Sequence, residues 1–166
     1  MDCGIVLEFV RMVSKEIPVG DRSQQILDFA VAKEKEAEKF YLRWAERANN
    51  EEVSRLLAEL ASDERGHVEK LSNITPDALI AEGSGPPDFK LSELLADVPA
   101  KPDMTIVDAL AVAIQREAKA IALYDRLRRS ATTEEALFAA LVEEERRHKH
   151  RLELNYAKLK RHFNDS

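Results

Sequence analysis

Glu34, Tyr41, Glu64 and His67 recur further along the chain as Glu117, Tyr124, Glu145 and His148. In both sets the tyrosine follows the first glutamate by 7 residues and the histidine follows the second by 3. The gap between tyrosine and second glutamate is 23 residues in one set and 21 in the other. Carboxylate oxygens and imidazole nitrogens are ligands for iron, manganese and zinc. A doubled set of them on helices is the arrangement that holds two metal ions inside a four-helix bundle. In each Glu-x-x-His pair both side chains project from one helical face about a turn apart. The glutamate can then bridge two ions while the histidine binds one. Glu34 and Glu117 supply one further ligand each.

The chain has many other glutamates, and their surroundings separate them from these four. Leu27, Ala30, Val31, Ala37 and Tyr41 share the helical face of Glu34, and Leu57, Leu60, Ala61, His67, Val68 and Leu71 share that of Glu64. Glu117 lies among Leu110, Ala113, Ile114, Ala120, Ile121 and Tyr124, and Glu145 among Phe138, Leu141, Val142, His148 and Leu152. Glu36 is instead followed at helical spacing by Lys39 and Arg43, and Glu144 by Arg147 and Arg151, which reads as surface. A buried glutamate is costly unless its charge is offset. Two divalent ions would set +4 against the −4 of the four carboxylates, with the histidines as neutral ligands. The two tyrosines read equally well as hydrogen-bond donors to a ligating carboxylate or as core aromatics. Trp44 reads as packing, and His150 and His162 fall off the ligand stripe. Gly66, between Glu64 and His67, costs about 1 kcal/mol relative to Ala in a helix, which suggests either a close approach at that point or tolerated drift.

The elements that must position these residues are marked by proline and glycine. Five of the six prolines lie between Pro76 and Pro102, together with Gly83 and Gly85. Two long helical blocks therefore flank one irregular connection. Ser23 can cap a first helix running to about Ala48, and Asn49-Asn50-Glu51-Glu52 turns the chain into a second that ends near Ser72. Thr105 and Asp108 form a capping-box pattern for a third helix. Thr132-Thr133-Glu134-Glu135 opens a fourth that continues to about Phe163. The spacing thus predicts an all-α four-helix bundle over residues 23–163, made of two hairpins joined by a crossover at about 73–104, with a short helix at Ser92–Val98. Residues 1–22 form a separate N-terminal segment whose apolar pattern suits a short helix.

At 166 residues and 45% hydrophobic, the chain can bury a sizeable core. The net charge of −6 argues against nucleic-acid binding. The basic run from Arg146 to Arg151 sits among charges of both signs and reads as a solvated face. No apolar run is long enough to span a bilayer, and no secretory signal is evident. A single cysteine, Cys3, excludes an internal disulfide and any Cys-x-x-Cys metal knuckle, so a reducing cytoplasm is the expected setting.

The segments "AVAKEKEAEKFYLRWAERA" and "LLAELASDERGHVEKL", with "AIQREAKAIALYDRL" and "LVEEERRHKHRL" repeating their design, resemble rubrerythrin-type domains of the ferritin-like superfamily. The resemblance spans about residues 23–160. It implies a carboxylate-bridged centre of two iron ions, with manganese or zinc as other occupants, and a homodimer with exchange of hairpins between chains as an option. Family members commonly reduce hydrogen peroxide, while relatives oxidise or store ferrous iron. Two departures matter: Ala120 stands where peroxidase-type members usually carry a further glutamate, and no rubredoxin domain is present. Electrons would then come from an external donor such as a rubredoxin-type protein. Three functions compete: an oxidoreductase acting on peroxide or dioxygen, a ferroxidase that hands iron on, and a structural bundle with an inert metal.

Overall fold

The computed structural model describes residues 19–79 and 103–164. The expected N-terminal helix and the one at Ser92–Val98 lie outside the described residues. Four helices carry the chain: α1, Val19–Arg47; α2, Glu51–Ser72; α3, Ile106–Ser130; and α4, Glu135–Asn164. No strand occurs among the described residues. No helix among them is long and apolar enough to cross a membrane.

Local chemistry sets most of the boundaries. Asn50 caps α2 by accepting a hydrogen bond from the Val53 backbone N–H at 3.1 Å. Thr105 and Asp108 form the full capping box at α3: Thr105 Oγ1 accepts from the Asp108 N–H, and Asp108 accepts from the Thr105 N–H. These bonds satisfy donors that a helix start leaves without partners. Ser23 does not act as the cap expected of it. Helix α1 is already formed at Val19, and Ser23 is buried on the stripe continued by Ile26, Leu27 and Ala30. A small side chain on the core face replaces the cap because the helix continues past it.

α1 pairs with α2, and α3 with α4, as antiparallel hairpins. Tyr41 bonds Glu117 and Tyr124 bonds Glu34, so α1 and α3 also run antiparallel. The ion pairs Glu52–Lys158, Glu59–Arg151 and Lys70–Glu144 place α4 antiparallel to α2. Helices α2 and α3 therefore point the same way. The chain leaves α2 at one end of the bundle and must re-enter at the other, about 33 Å away for a 22-residue helix. That requirement accounts for a connection too long for a hairpin turn. Its beginning is pinned: Thr132, in the α3–α4 turn, donates from its N–H to Ala78 O (2.8 Å) and from its hydroxyl to Asp77 O (3.0 Å).

The core divides into two apolar clusters. One gathers Ile26, Leu27, Leu71, Leu123, Tyr124, Leu127, Phe138 and Leu141. The other gathers Phe40, Tyr41, Trp44, Leu57, Leu60, Leu110, Ala113 and Leu152. Trp44 is thus packing, as expected. Between the clusters lies a polar layer closed at both ends by hydrocarbon.

Candidate metal centre

Glu34, Glu64, Glu117 and Glu145, one from each helix, fill that layer with His67 and His148. None of the six is more than 5% exposed. The helical stripes that aim aliphatic side chains inward above and below aim these inward too. Two overlapping groups result, Glu34–Glu64–His67–Glu145 and Glu64–Glu117–Glu145–His148, each offering ligand atoms within 4.8 Å of one another. Glu64 and Glu145 belong to both, while Glu34 with His67 and Glu117 with His148 belong to one each. The sequence spacing expects Glu64 and Glu145 to bridge two ions and the other four residues to bind one ion each.

The donor atoms are poorly arranged for one another and well arranged for a cation. His67 Nδ1 lies 2.9 Å from both Glu64 Oε2 and Glu145 Oε1. Yet neither contact has hydrogen-bond geometry, and His67 Nδ1, both Glu64 oxygens and Glu145 Oε1 are buried without a hydrogen-bond partner. Buried polar atoms are rarely left so. His148 Nδ1 does bond Glu145 Oε2, at 3.1 Å, but the unpartnered atoms that converge beside them fit a pair of ions, and four carboxylates with two imidazoles fit divalent ions in charge and in donor type.

Each imidazole presents Nδ1 to the centre and Nε2 outward. His67 Nε2 is 2.7 Å from Glu144 Oε2, and His148 Nε2 is 3.3 Å from Asp63 Oδ2. The rings lie nearly parallel, 5.7 Å apart. Carboxylates behind ligating histidines fix their tautomer and orientation. Sequence reasoning missed both, and its placement of Glu144 on the open surface is corrected: the side chain is half-buried between His67 and Lys70. A signal was present, because each Glu-x-x-His is preceded by an acid, Asp63 before Glu64 and Glu144 before Glu145. Each acid faces the histidine of the other helix.

The two tyrosines are fully buried and donate across the bundle, Tyr41 to Glu117 and Tyr124 to Glu34. Each therefore packs in an apolar cluster and bonds a carboxylate of the site. Burial, with the nearby carboxylates, pushes both phenols up, so they remain donors. His150 is exposed. A Cβ added to Gly66 would meet nothing within 4 Å, so no close approach explains that glycine.

Proton affinities split by position. Burial raises Glu34 well above the usual carboxylate range, as do Glu64 and Glu145, against a lowering contact from His67. Burial raises Glu117 likewise, reinforced by Glu145 and Glu64. Burial would raise Glu64 and Glu145 too, but close contacts with neighbouring groups, the two histidines among them, bring both below the usual value. Burial opposes charge on the histidines, yet contacts with Glu145, Glu34 and Glu64 push His67 far up, and Glu145 and Glu64 push His148 to about 9.

A cavity of about 70 Å³ between α1 and α3 reaches the carboxylates. Phe29, Ala37, Ala120 and Leu123 give it apolar walls, and Lys33, Arg116 and Lys119 also line it. Arg116 lies over the Phe40 ring at 4.3 Å.

Comparison with known proteins agrees with this geometry. The rubrerythrin family model matches residues 25–85, which take in most of α1 and all of α2. A solved structure from Thermotoga maritima, described provisionally as a ferritin-like diiron-carboxylate protein, superposes with a TM-score of 0.57 at 25% identity. The match covers 78% of this chain and 91% of that one. No curated protein matches the chain. The fold is ferritin-like, and the buried carboxylate–histidine cluster marks a di-metal protein.

Proposed function

We propose that this protein is a di-iron oxidoreductase that reduces hydrogen peroxide, or dioxygen, with electrons from an external rubredoxin-type donor. The observation carrying this reading is the pair of donor sets sharing Glu64 and Glu145 at the end of a cavity of about 70 Å³. Glu34, Glu64, His67, Glu117, Glu145 and His148 would hold the ions. Two irons bound there supply two electrons at adjacent points, which is what cleavage of an O–O bond takes; manganese or zinc could occupy the same donors.

The chain's own residues account for binding, exclusion and proton placement. The cavity holds a few water-sized molecules and suits an oxidant of two oxygen atoms better than a bulky organic hydroperoxide. Apolar side chains line part of the cavity, and the two hydrocarbon clusters close the polar layer at either end. Tyr41 and Tyr124 hold Glu117 and Glu34 in place by hydrogen bonds, and their hydroxyls are the nearest protonated groups beside those carboxylates. Reduction of peroxide to two waters consumes two electrons and two protons. The single cysteine offers no second redox centre in this chain, which is why the electrons are assigned to a separate donor.

Ala120 favours a second reading. It lines the cavity where peroxidase-type proteins of the resembled family usually carry a glutamate, and its absence leaves room for iron to pass. In that reading Fe(II) is the substrate, oxidised at the centre and released. The test is an anaerobic Fe(II) titration of metal-free protein, followed by oxidation with peroxide or air in parallel. Saturation near two irons per chain with faster oxidation by peroxide supports the first reading. Faster oxidation by air with continued iron uptake supports the second, and failure to bind iron overturns both.

A further inference from the structure

The two histidines are held unequally, and the cause lies outside the inner donor set. His67 Nε2 is 2.7 Å from Glu144 Oε2 in good hydrogen-bond geometry. A carboxylate only accepts, so Nε2 carries a proton, and Nδ1 is the nitrogen left to ligate once its own proton is displaced. Glu144 is itself fixed, since Lys70 Nζ reaches both of its oxygens, at 2.7 and 3.0 Å. On the other side, Asp63 stands 3.3 Å from His148 Nε2 with about half of its side chain exposed. His67 also has the closer neighbours at the centre: its Nδ1 is 2.9 Å from Glu64 and Glu145. His148 Nδ1 is 3.1 Å from Glu145 and 3.5 Å from Glu64.

We propose that Glu144, clamped by Lys70, is a positioning residue that makes the Glu34–His67 position the tighter of the two, so that the metal ions bind in order, first there and then at Glu117–His148. This inference rests on the di-metal reading. A ring already locked in tautomer and angle loses less freedom when it ligates, and a carboxylate behind it strengthens the nitrogen as a donor. Removing such a support typically weakens metal binding by about 10–100-fold. Here the loss should fall on one equivalent and spare the other, because among the described residues His67 is the one histidine that Glu144 bonds.

The test is titration of the metal-free full chain with Co(II), followed by visible absorption and calorimetry. The unsubstituted protein is expected to bind two equivalents in two resolved steps. Glu144→Ala should weaken the first step about 10–100-fold and leave the second. Glu144→Gln, which keeps an acceptor, should restore part of that loss. Asp63→Ala should move only the second step. In the Zn(II)-loaded protein the His67 Nε2 proton should exchange slowly with solvent, and faster after Glu144→Ala. Should Glu144→Ala fail to fold, Lys70→Met removes the clamp at an exposed side chain, and it too should weaken the first step alone. Two equal and unresolved equivalents in the unsubstituted protein, or equal weakening of both steps by either variant, would overturn the ordered-site inference and leave the di-metal reading standing. Absence of Co(II) binding to the unsubstituted protein would overturn both.

Discussion

Loading the centre with two divalent ions should release about four protons at pH 7. In the metal-free layer, Glu64 and Glu145 are depressed and ionised, and His67 and His148 are raised and charged. Glu34 and Glu117 are pushed up by burial and the neighbouring carboxylates. With a proton on each of those two, the charges cancel: two carboxylates against two imidazoliums. In the loaded layer four carboxylates and two neutral imidazoles cancel two divalent ions. Both states are neutral, as a dry core requires, and they differ by four protons. Two of the four are the imidazolium protons, because the neighbouring carboxylates push His148 up to about 9 and His67 higher.

The sign follows from linkage: protons are bound in the metal-free state, so raising pH favours loading. The product of the two association constants should rise by about four powers of ten per pH unit near neutrality. That slope drops by one above about pH 9, where His148 is already neutral. Calorimetric titration with Zn(II) in buffers of different ionisation enthalpy reads the proton number as a slope. A value near four is expected. A value below two would mean that at least one imidazole is neutral in the metal-free protein, and the charge-balance reasoning would fail.

Other consequences can be checked on the same protein. The stability of the metal-free form should fall between pH 6.5 and 9: the folded pKa of His148 is raised, so its contribution is complete below 6.5 and lost through about 9. The His148 share of that loss is about 3 kcal/mol by urea unfolding, and His67, raised further, adds to it in the same direction over the same window; a flat profile would contradict it. Gly66→Ala should stabilise by about 1 kcal/mol with metal stoichiometry unchanged, since the new Cβ meets nothing; destabilisation would reveal a contact the geometry lacks. Phe138→Ala, in the fully buried cluster beside the site, should cost about 3–5 kcal/mol, read from the urea midpoint at constant m-value. Tyr124→Phe should cost about 1–3 kcal/mol in metal-free protein by removing the donor to Glu34, and an unchanged midpoint would mean that this bond contributes nothing.

The inner site was legible in the sequence because of what a buried charge costs. A glutamate on an apolar helical stripe is anomalous by itself, so Glu34, Glu64, Glu117 and Glu145 stood out from the other acids without any knowledge of how the helices pack. The cross-bundle tyrosines were half-legible: their spacing from the first glutamate was plain, but Tyr41 bonds the glutamate of α3 and Tyr124 that of α1. Glu144 and Asp63 were hidden for a related reason. The residue before a ligand lies about 100° around the helix from it, at the edge of the stripe, where an acid is ordinary. Its partner is a histidine on another helix, 77 residues away for Glu144 and His67. Only the antiparallel docking of α2 on α4 brings them together. Ser23 misled in the opposite way, since a hydroxyl residue ahead of an apolar run reads as a cap until the helix is seen to begin earlier. Local chemistry therefore announces the atoms that would bind the ions, whereas the residues that would rank the two ions emerge only from packing. The six inner donors match in type on both sides and differ only in their distances, whereas Asp63 and Glu144 differ in type and in how firmly they are held, so the cause of a difference between the two positions is sought in those two acids.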